Sequence, residues 1–387
     1  MPNPKAAEVN VIAPLSIDQG QIDHGDSGSL CGTVIAVQAN YYWVQFEPST
    51  LPTAVLTAAQ GDDVLLLCTR RSRLKKIGQQ VMVGDRVQVE EADWAGGRGA
   101  IGQVLPRHSE LDRPPMANAD QILLVFALAE PALEPVQLSR FLVKAESTEI
   151  SVCLCLNKCD LASPADQKHW GDRLAQWGYT PLLLSVHQTV GLDAILQNLS
   201  GKTTVVSGPS GVGKSSLLNA LIPAVDLRVG TVSGKLLRGR HTTRHVELFK
   251  LPTGGLLADS PGFNQPDLDC IPTTLIHCFP EARRRLEGDA CQFSNCLHRD
   301  EPGCVVRGDW ERYEHYRIFL EEAIARQSSF ERSRDAETTT KQKSGNDGQI
   351  STEPKLEAKK YRRPSRRTEK QLLLGLYLEE GEKDEGD

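Results

Sequence analysis

No run of eighteen apolar residues occurs in this chain, so no stretch reads as a transmembrane helix. The first thirty residues contain Glu8, Asp18, Asp23 and Asp26, which do not suit a transit or signal peptide. Residues 1–29 are expected to be a disordered arm. An excess of positive charge is also missing. The formal net charge is −6, so the molecule as a whole does not advertise nucleic-acid binding, although local patches rather than the total set phosphate contact. No internal repeats are visible. Cysteine, by contrast, is present ten times. Without a secretory signal this argues for a reducing, cytoplasmic compartment and for metal binding rather than disulfides. Cys31, Cys68, Cys153 and Cys155 lie in apolar runs and are expected to be core.

A length of 387 residues suggests two or three domains. Residues 30–110 read as five short strands, near 32–37, 41–46, 63–68, 86–89 and 99–104. Five strands suit an OB-fold barrel, a common oligonucleotide binder. Arg70, Arg71, Arg73, Lys75 and Lys76 form a basic loop near aromatic residues, which is what backbone-tracking RNA contact requires; a solvated loop would look the same. Residues 111–268 read as an α/β domain, and 269–326 as a small metal-binding lobe with helices. From 327 to 387 Ser, Thr, Lys, Gln, Gly and Asp dominate, so a disordered charged tail is expected.

Three segments in the α/β region carry chemistry, and their order matters. Asn157-Lys158-Cys159-Asp160 comes first and follows a continuous apolar run, which suits a strand buried on both faces. Asp160 can accept two hydrogen bonds from the guanine edge, which adenine cannot supply. Asn157 and Lys158 would brace the base and the phosphate loop. Next comes Gly208-Pro209-Ser210-Gly211-Val212-Gly213-Lys214-Ser215, followed by Ser216. This is the P-loop pattern, between a β-branched strand and a helix. Lys214 would reach the β- and γ-phosphates and Ser215 would ligate Mg²⁺. Last comes Asp259-Ser260-Pro261-Gly262, with Asp259 placed to hold Mg²⁺ through water and the Gly262 N–H to face the γ-phosphate. Between the first two, Ser185-Val186 at a strand end fits a base-backing segment. In an ordinary GTPase the phosphate loop leads. The rotated order predicts a circularly permuted G domain.

Phe263 stands where Ras-like enzymes carry the glutamine that orients water, so another group must place the nucleophile. The segment Gly239-Arg240-His241-Thr242-Thr243 lies where a switch should be. Thr243, favoured over Thr242, would close on Mg²⁺, and His241 could orient or deprotonate water. Arg238 and Arg240 read either as stabilising arginines or as solvated or RNA-facing loop charges. Farther on, Cys291, Cys296, His298 and Cys304 offer three thiolates and an imidazole in a turn-rich stretch. That set suits a closed, tetrahedral, structural Zn²⁺ site with no open position for catalysis.

Taken together, these motifs resemble the RsgA/YjeQ family of circularly permuted GTPases that serve small-ribosomal-subunit biogenesis. The resemblance rests on the three nucleotide segments, on 239–243 and on the Cys/His spacing, and it covers roughly residues 30–325. It implies an OB-fold, a permuted G domain and a zinc lobe in that order. It also implies GTP hydrolysis stimulated by the small ribosomal subunit and its rRNA, in late maturation of that subunit, by a monomer with no membrane partner. Family members carry a hydrophobic residue where Ras has glutamine, and their switch histidine is the proposed catalytic group; Phe263 and His241 occupy those places. Potassium-activated GTPases use a P-loop asparagine where this chain has Gly211. The rival reading, an RNA-binding barrel and zinc scaffold with a vestigial nucleotide site, is disfavoured by intact Lys214, Ser215, Asp259 and Asp160. An ATPase is disfavoured by Asn157 and Asp160.

Overall fold

The computed structural model describes residues 30–59, 63–222, 246–259, 267–337, 340–344 and 350–354; for residue 259 and residues 332–354 it describes the backbone alone. The expected N-terminal arm, His241, Thr243, Gly262 and Phe263 lie outside the described residues. Two units are distinguished, residues 1–324 and 325–387.

The first unit opens with β1 (Leu30–Gln38), β2 (Tyr41–Phe46), α1 (Thr53–Ala59), β3 (Leu65–Arg70), α2 (Ser72–Lys76), β4 (Arg86–Asp93) and β5 (Arg98–Val104). All five strands expected from the sequence are present. They run β1-β2-β3-β5-β4, and an antiparallel β4–β1 pairing closes the ring. Closure removes the edges an open sheet would expose. Alternate residues point inward, so Val34, Val44, Leu66, Val87 and Ile101 fill the interior and Trp94 packs edge-on against Phe46 at 5.4 Å. This is the predicted OB-type barrel.

A short hairpin, β6 (Glu110–Asp112) with β7 (Pro115–Ala117), links the barrel to the α/β domain and lies across the expected boundary at residue 110. Here the barrel turn is locked to the neighbouring domain. Arg107 donates to the fully buried Asp85 at 2.7 Å, and Asn118 Nδ2 donates to the Gly84 carbonyl at 2.9 Å. Gly84 has φ +86, and a Cβ there would meet the Ala117 carbonyl oxygen at 1.9 Å, so no other residue fits.

The α/β domain continues with β8 (Gln121–Ala127), α3 (Pro135–Glu146), β9 (Ser151–Asn157), α4 (Pro164–Trp177), β10 (Leu182–Leu183), α5 (Leu192–Leu199), β11 (Thr203–Ser207), α6 (Lys214–Leu221), β12 (Glu247–Lys250) and β13 (Leu256–Asp259). The sheet order is β10-β9-β8-β11-β13-β12, parallel except for β12. Every residue of β8 is buried. Ile122, Leu124 and Phe126 face one core with Leu138 and Phe141, while Leu123, Val125 and Ala127 face the other with Leu217 and Leu221. The apolar run of β9 thus reads as it does because helices cover both faces.

One arrangement was not legible in the sequence. The far half of β1 pairs with β12 through Ala36 and Glu247, next to a bulge between Val34 and Ala36, so the barrel and the α/β sheet join into eleven strands. The bulge bends β1 away from the barrel and frees this end to pair.

The final lobe of the first unit holds α7 (Pro280–Gly288) and the start of α8 (Tyr313–Glu337). Its core is Leu275, Phe279, Ala282, Val306, Tyr316, Phe319 and Leu320, with Val143 of α3 among them. The second unit carries the end of α8 and a hairpin of β14 (Thr340–Ser344) and β15 (Ile350–Pro354). The helix therefore continues to Glu337, eleven residues beyond the expected end of order at 326. Glutamine, glutamate, arginine and alanine in this stretch are good helix formers even where few apolar residues are present.

Candidate nucleotide site and metal centre

Strand register brings the motif residues to one edge. Ala127 pairs with Asn157, Leu124 with Ser207, and Val206 with Asp259, so all three motifs leave the sheet at its carboxyl end. β11 is central. Its neighbour on one side comes earlier in the chain and on the other side later, which makes this edge a topological switch point, where ligands bind in open α/β sheets.

The P-loop leaves β11 and enters α6 with Gly213 capping and Lys214 as its first residue. Gly208, Pro209 and Val212 are buried beneath the loop, while Ser210 and Gly211 are exposed at its tip. Lys214 Nζ donates to the Gly208 carbonyl at 2.8 Å and the Pro209 carbonyl at 2.6 Å, so the ammonium lies across the mouth of the loop. Ser215 and Ser216 are half-buried in the first turn of α6. Orphan backbone N–H groups and the positive end of the helix converge there.

Asn157 ties the first motif to the second. Its Nδ2 donates to the Val212 carbonyl at 2.8 Å. Gly213 has φ +95, and a Cβ there would lie 2.4 Å from the same Nδ2, so the brace itself demands glycine. Asn157 Oδ1 is buried without a hydrogen-bond partner, an expensive condition that a ligand donor would relieve. Lys158 adopts a left-handed conformation and its ammonium donates to the carbonyl of Glu130. Asp160 follows, half-buried, in a 3-10 turn from Cys159 to Leu161. The Cys159 N–H donates to the Leu184 carbonyl at 3.0 Å, which sets the Ser185-Val186 segment beside Asp160. Ser185 is fully buried, and its hydroxyl accepts from the Gln188 N–H at 3.1 Å. The backbone of Asp259 ends β13 beside β11; His241 and Thr243, expected in a switch, and Gly262, expected to face the γ-phosphate, lie outside the described residues.

The sequence reading does not single out Glu130 and Pro131, yet both lie at this edge. The Glu130 carbonyl holds Lys158, and Pro131 Cδ would lie 3.8 Å from a Cβ on Gly211. The available signal was Glu130-Pro131 directly after the apolar run 122–129, a turn at a carboxyl edge.

The basic loop of the barrel is less free than its sequence suggests. Arg70 donates to the Gln79 carbonyl at 2.5 Å, Arg71 pairs with Glu90 and Glu91, and Arg73 contacts Glu90 at 2.7 Å and the Gly102 carbonyl at 3.0 Å. Lys75 and Lys76 are exposed on α2. Tyr41 is exposed on β2 of the same barrel.

In the final lobe, Cys291, Cys296, His298 and Cys304 place their ligand atoms within 4.8 Å of one another. His298 Nδ1 lies 3.5, 3.6 and 3.4 Å from the sulfurs of Cys291, Cys296 and Cys304, and Cys291 Sγ lies 3.9 Å from Cys304 Sγ. A tetrahedral ion with Zn–S near 2.3 Å and Zn–N near 2.05 Å requires edges of about 3.8 Å between sulfurs and about 3.5 Å between sulfur and nitrogen. The four residues fit zinc. Backbone N–H groups of His298 and Arg307 donate to Cys296 and Cys304 at 3.4 and 3.3 Å, which favours thiolates. Tyr316 donates to the Leu297 carbonyl at 2.6 Å and Tyr313 to that of His298 at 2.8 Å, so α8 clamps the loop. Thiols in the apolar runs differ in kind: burial pushes Cys68 up to about 12 and Cys153 up to about 11. Cys68 and Cys155 are core, as expected, whereas Cys31 and Cys153 are half-buried.

Protein purified without chelator should contain one zinc per chain. Stripping it with a strong chelator should unfold the final lobe before the barrel or sheet, because binding energy at such a site is folding energy. Metal analysis with hydrogen exchange checks this, and a metal-free lobe with native protection would refute it.

The permuted sheet, its carboxyl-edge P-loop, the barrel before it and the Cys/His lobe after it define a circularly permuted P-loop GTPase fold with two accessory domains. The RsgA GTPase family model matches residues 104–269. A small ribosomal subunit biogenesis GTPase RsgA from Trichormus variabilis is 63% identical over 92% of this chain and 98% of its own length. The chain belongs to the RsgA GTPase family. Among solved structures, YloQ, described as a circularly permuted GTPase, superposes with a TM-score of 0.63 at 31% identity, covering 79% of this chain and 98% of its own. YjeQ from Thermotoga maritima gives a TM-score of 0.63 at 29% identity, covering 77% and 99%.

Proposed function

We propose that this chain hydrolyses GTP to GDP and phosphate, stimulated by the small ribosomal subunit, and acts in late maturation of that subunit in the cytoplasm as a monomer. The observation that carries the hydrolase reading is the Asn157–Val212 brace at the sheet switch point. It joins a guanine-reading strand end to a P-loop whose lysine crosses its mouth. The subunit reading is supported by relatives named as small ribosomal subunit biogenesis GTPases at up to 63% identity.

In this reading Lys214 and the N–H groups of residues 208–215 offset phosphate charge, and Asp160 selects guanine. Ser215, Thr243 and Asp259 would hold Mg²⁺, which supplies charge neutralisation between the β- and γ-phosphates when bound. His241 holds the attacking water, since Phe263 cannot. Arg70, Arg71, Arg73, Lys75 and Lys76 of the barrel, the last three of them exposed, would meet rRNA phosphates.

GTP turnover measured with and without purified small subunits tests the proposal. Strong stimulation is expected in the wild type, and His241→Ala should lose about a hundredfold of the stimulated rate while keeping GTP affinity. Absence of stimulation in the wild type would favour the vestigial-site scaffold instead. Base recognition has its own test. Asp160→Asn should weaken GTP binding by about 1.5–3 kcal/mol and shift preference toward xanthosine nucleotides, because the amide no longer pairs with the guanine N–H groups. Equal binding of ATP and GTP by the wild type would remove Asp160 from specificity.

A further inference from the structure

Where the chain passes from the α/β domain into the final lobe, two cysteines face each other. Cys270 Sγ and Cys278 Sγ lie 3.9 Å apart. Cys270 is half-exposed, in the connection after β13. Cys278 is buried in the lobe core beside Phe279, at the end of the 3-10 turn from Leu275 to Cys278. The pair is not equivalent in its surroundings. Lys144 of α3, whose ammonium pairs with Asp269 at 2.7 Å, sits beside Cys270 together with Ser147. The contact with Cys278, aided by Ser147 and Lys144, holds the Cys270 thiol below the ordinary thiol value. The same contact and burial push Cys278 up.

This arrangement suits sulfur chemistry better than metal binding. Among the described residues the one group of three or more ligand-forming side chains is the Cys291 cluster, and an ammonium next to Cys270 repels cations. A half-exposed thiol beside an ammonium, with a buried second thiol within reach, is the disposition of an attacking and a resolving cysteine. Their sulfurs, 3.9 Å apart, need to approach by about 2 Å to reach bonding distance.

We infer that Cys270 and Cys278 form a modification site, a dithiol that hydrogen peroxide converts to a reversible intrachain disulfide, with Cys270 attacking and Cys278 resolving. The Cys270 thiolate attacks the O–O bond and takes one oxygen as sulfenic acid, and the leaving hydroxide takes a proton to become water. The Cys278 sulfur then attacks Cys270 Sγ, forming the S–S bond and expelling the sulfenic oxygen, which leaves as a second water with the Cys278 proton. Two thiols lose two electrons and one peroxide is reduced to two waters. A thiol reductant reverses the bond by exchange.

The test uses the full-length, zinc-loaded chain, hydrogen peroxide as probe, alkylation as quench and tryptic mass spectrometry. Cys270 and Cys278 share the peptide 251–283, whereas Cys291 and Cys296 share 286–299, so the two sites are read separately. The expected product is peptide 251–283 lighter by two hydrogens and closed to alkylation, restored by dithiothreitol, while peptide 286–299 still alkylates. In Cys278→Ala, Cys270 should be trapped as sulfenic acid by a dione reagent. In Cys270→Ser, oxidation of Cys278 should slow by about tenfold or more. The proposal is overturned if both cysteines alkylate fully after peroxide has already modified the Cys291 peptide. A bridge from Cys270 to any other cysteine would overturn it as well.

Discussion

Replacing Lys214 with alanine should lower GTP hydrolysis by at least about a hundredfold to a thousandfold, the scale seen when one preorganised charge-stabilising group is removed from an active site. The fold should persist. Lys214 contributes its backbone to the first turn of α6, while its ammonium contacts the carbonyls of Gly208 and Pro209 and packs no core. Alanine is also the best helix former, so α6 should not suffer. Thermal denaturation beside single-turnover kinetics separates the two effects. Near-normal turnover in a folded variant would take the P-loop out of the mechanism.

The second large effect is structural. Arg312 is completely buried, and its guanidinium stacks 4.8 Å from the ring of Trp177 and 4.9 Å from that of Phe279 while bridging to Glu281, with one nitrogen 2.6 Å from its carboxylate. Trp177 belongs to α4 of the α/β domain and Glu281 to α7 of the final lobe, so one side chain spans both. Trp177 Nε1 also donates to Glu311 at 2.8 Å, reinforcing the same seam. Arg312→Ala should cost about 3–5 kcal/mol, because it strands the Glu281 charge in a buried place. The double variant Arg312→Met/Glu281→Met should recover most of that loss, since a buried pair replaced by apolar groups of similar volume is often neutral. Denaturant titration of the two proteins decides the matter: a double variant as unstable as the single would mean that stacking on Trp177, rather than charge, holds the seam.

The barrel strands, the parallel sheet and the Cys/His cluster could be read from the chain because each rests on local pattern. Alternation marks β1 to β5, a continuous apolar run marks β9, and four ligand residues in a turn-rich stretch mark the metal centre. The P-loop could be read because its glycines and Lys214 have few other uses together. The same local logic misplaced the end of order, since a charged stretch without apolar periodicity can still be helical when its residues favour helix, as α8 does to Glu337.

What the sequence determined by itself was therefore the family's fold and the order of its parts: an NKxD segment ahead of a P-loop, and a Cys/His cluster that could hold a metal after both. Tertiary structure alone decided how those parts meet. Asn157 and Val212 are 55 positions apart, and only the parallel pairing of β8, β9 and β11 brings them to one edge. Glu130 became a neighbour of Lys158, Arg312 of Trp177, and Cys270 of Lys144 in the same way. Arg70, Arg71 and Arg73 meet Glu90, Glu91 and nearby carbonyls, because an ion pair needs a partner in space and nothing in the loop's own residues announces one. Periodicity and motif spacing are properties of neighbours along the chain; braces, seams and paired thiols are properties of neighbours across it.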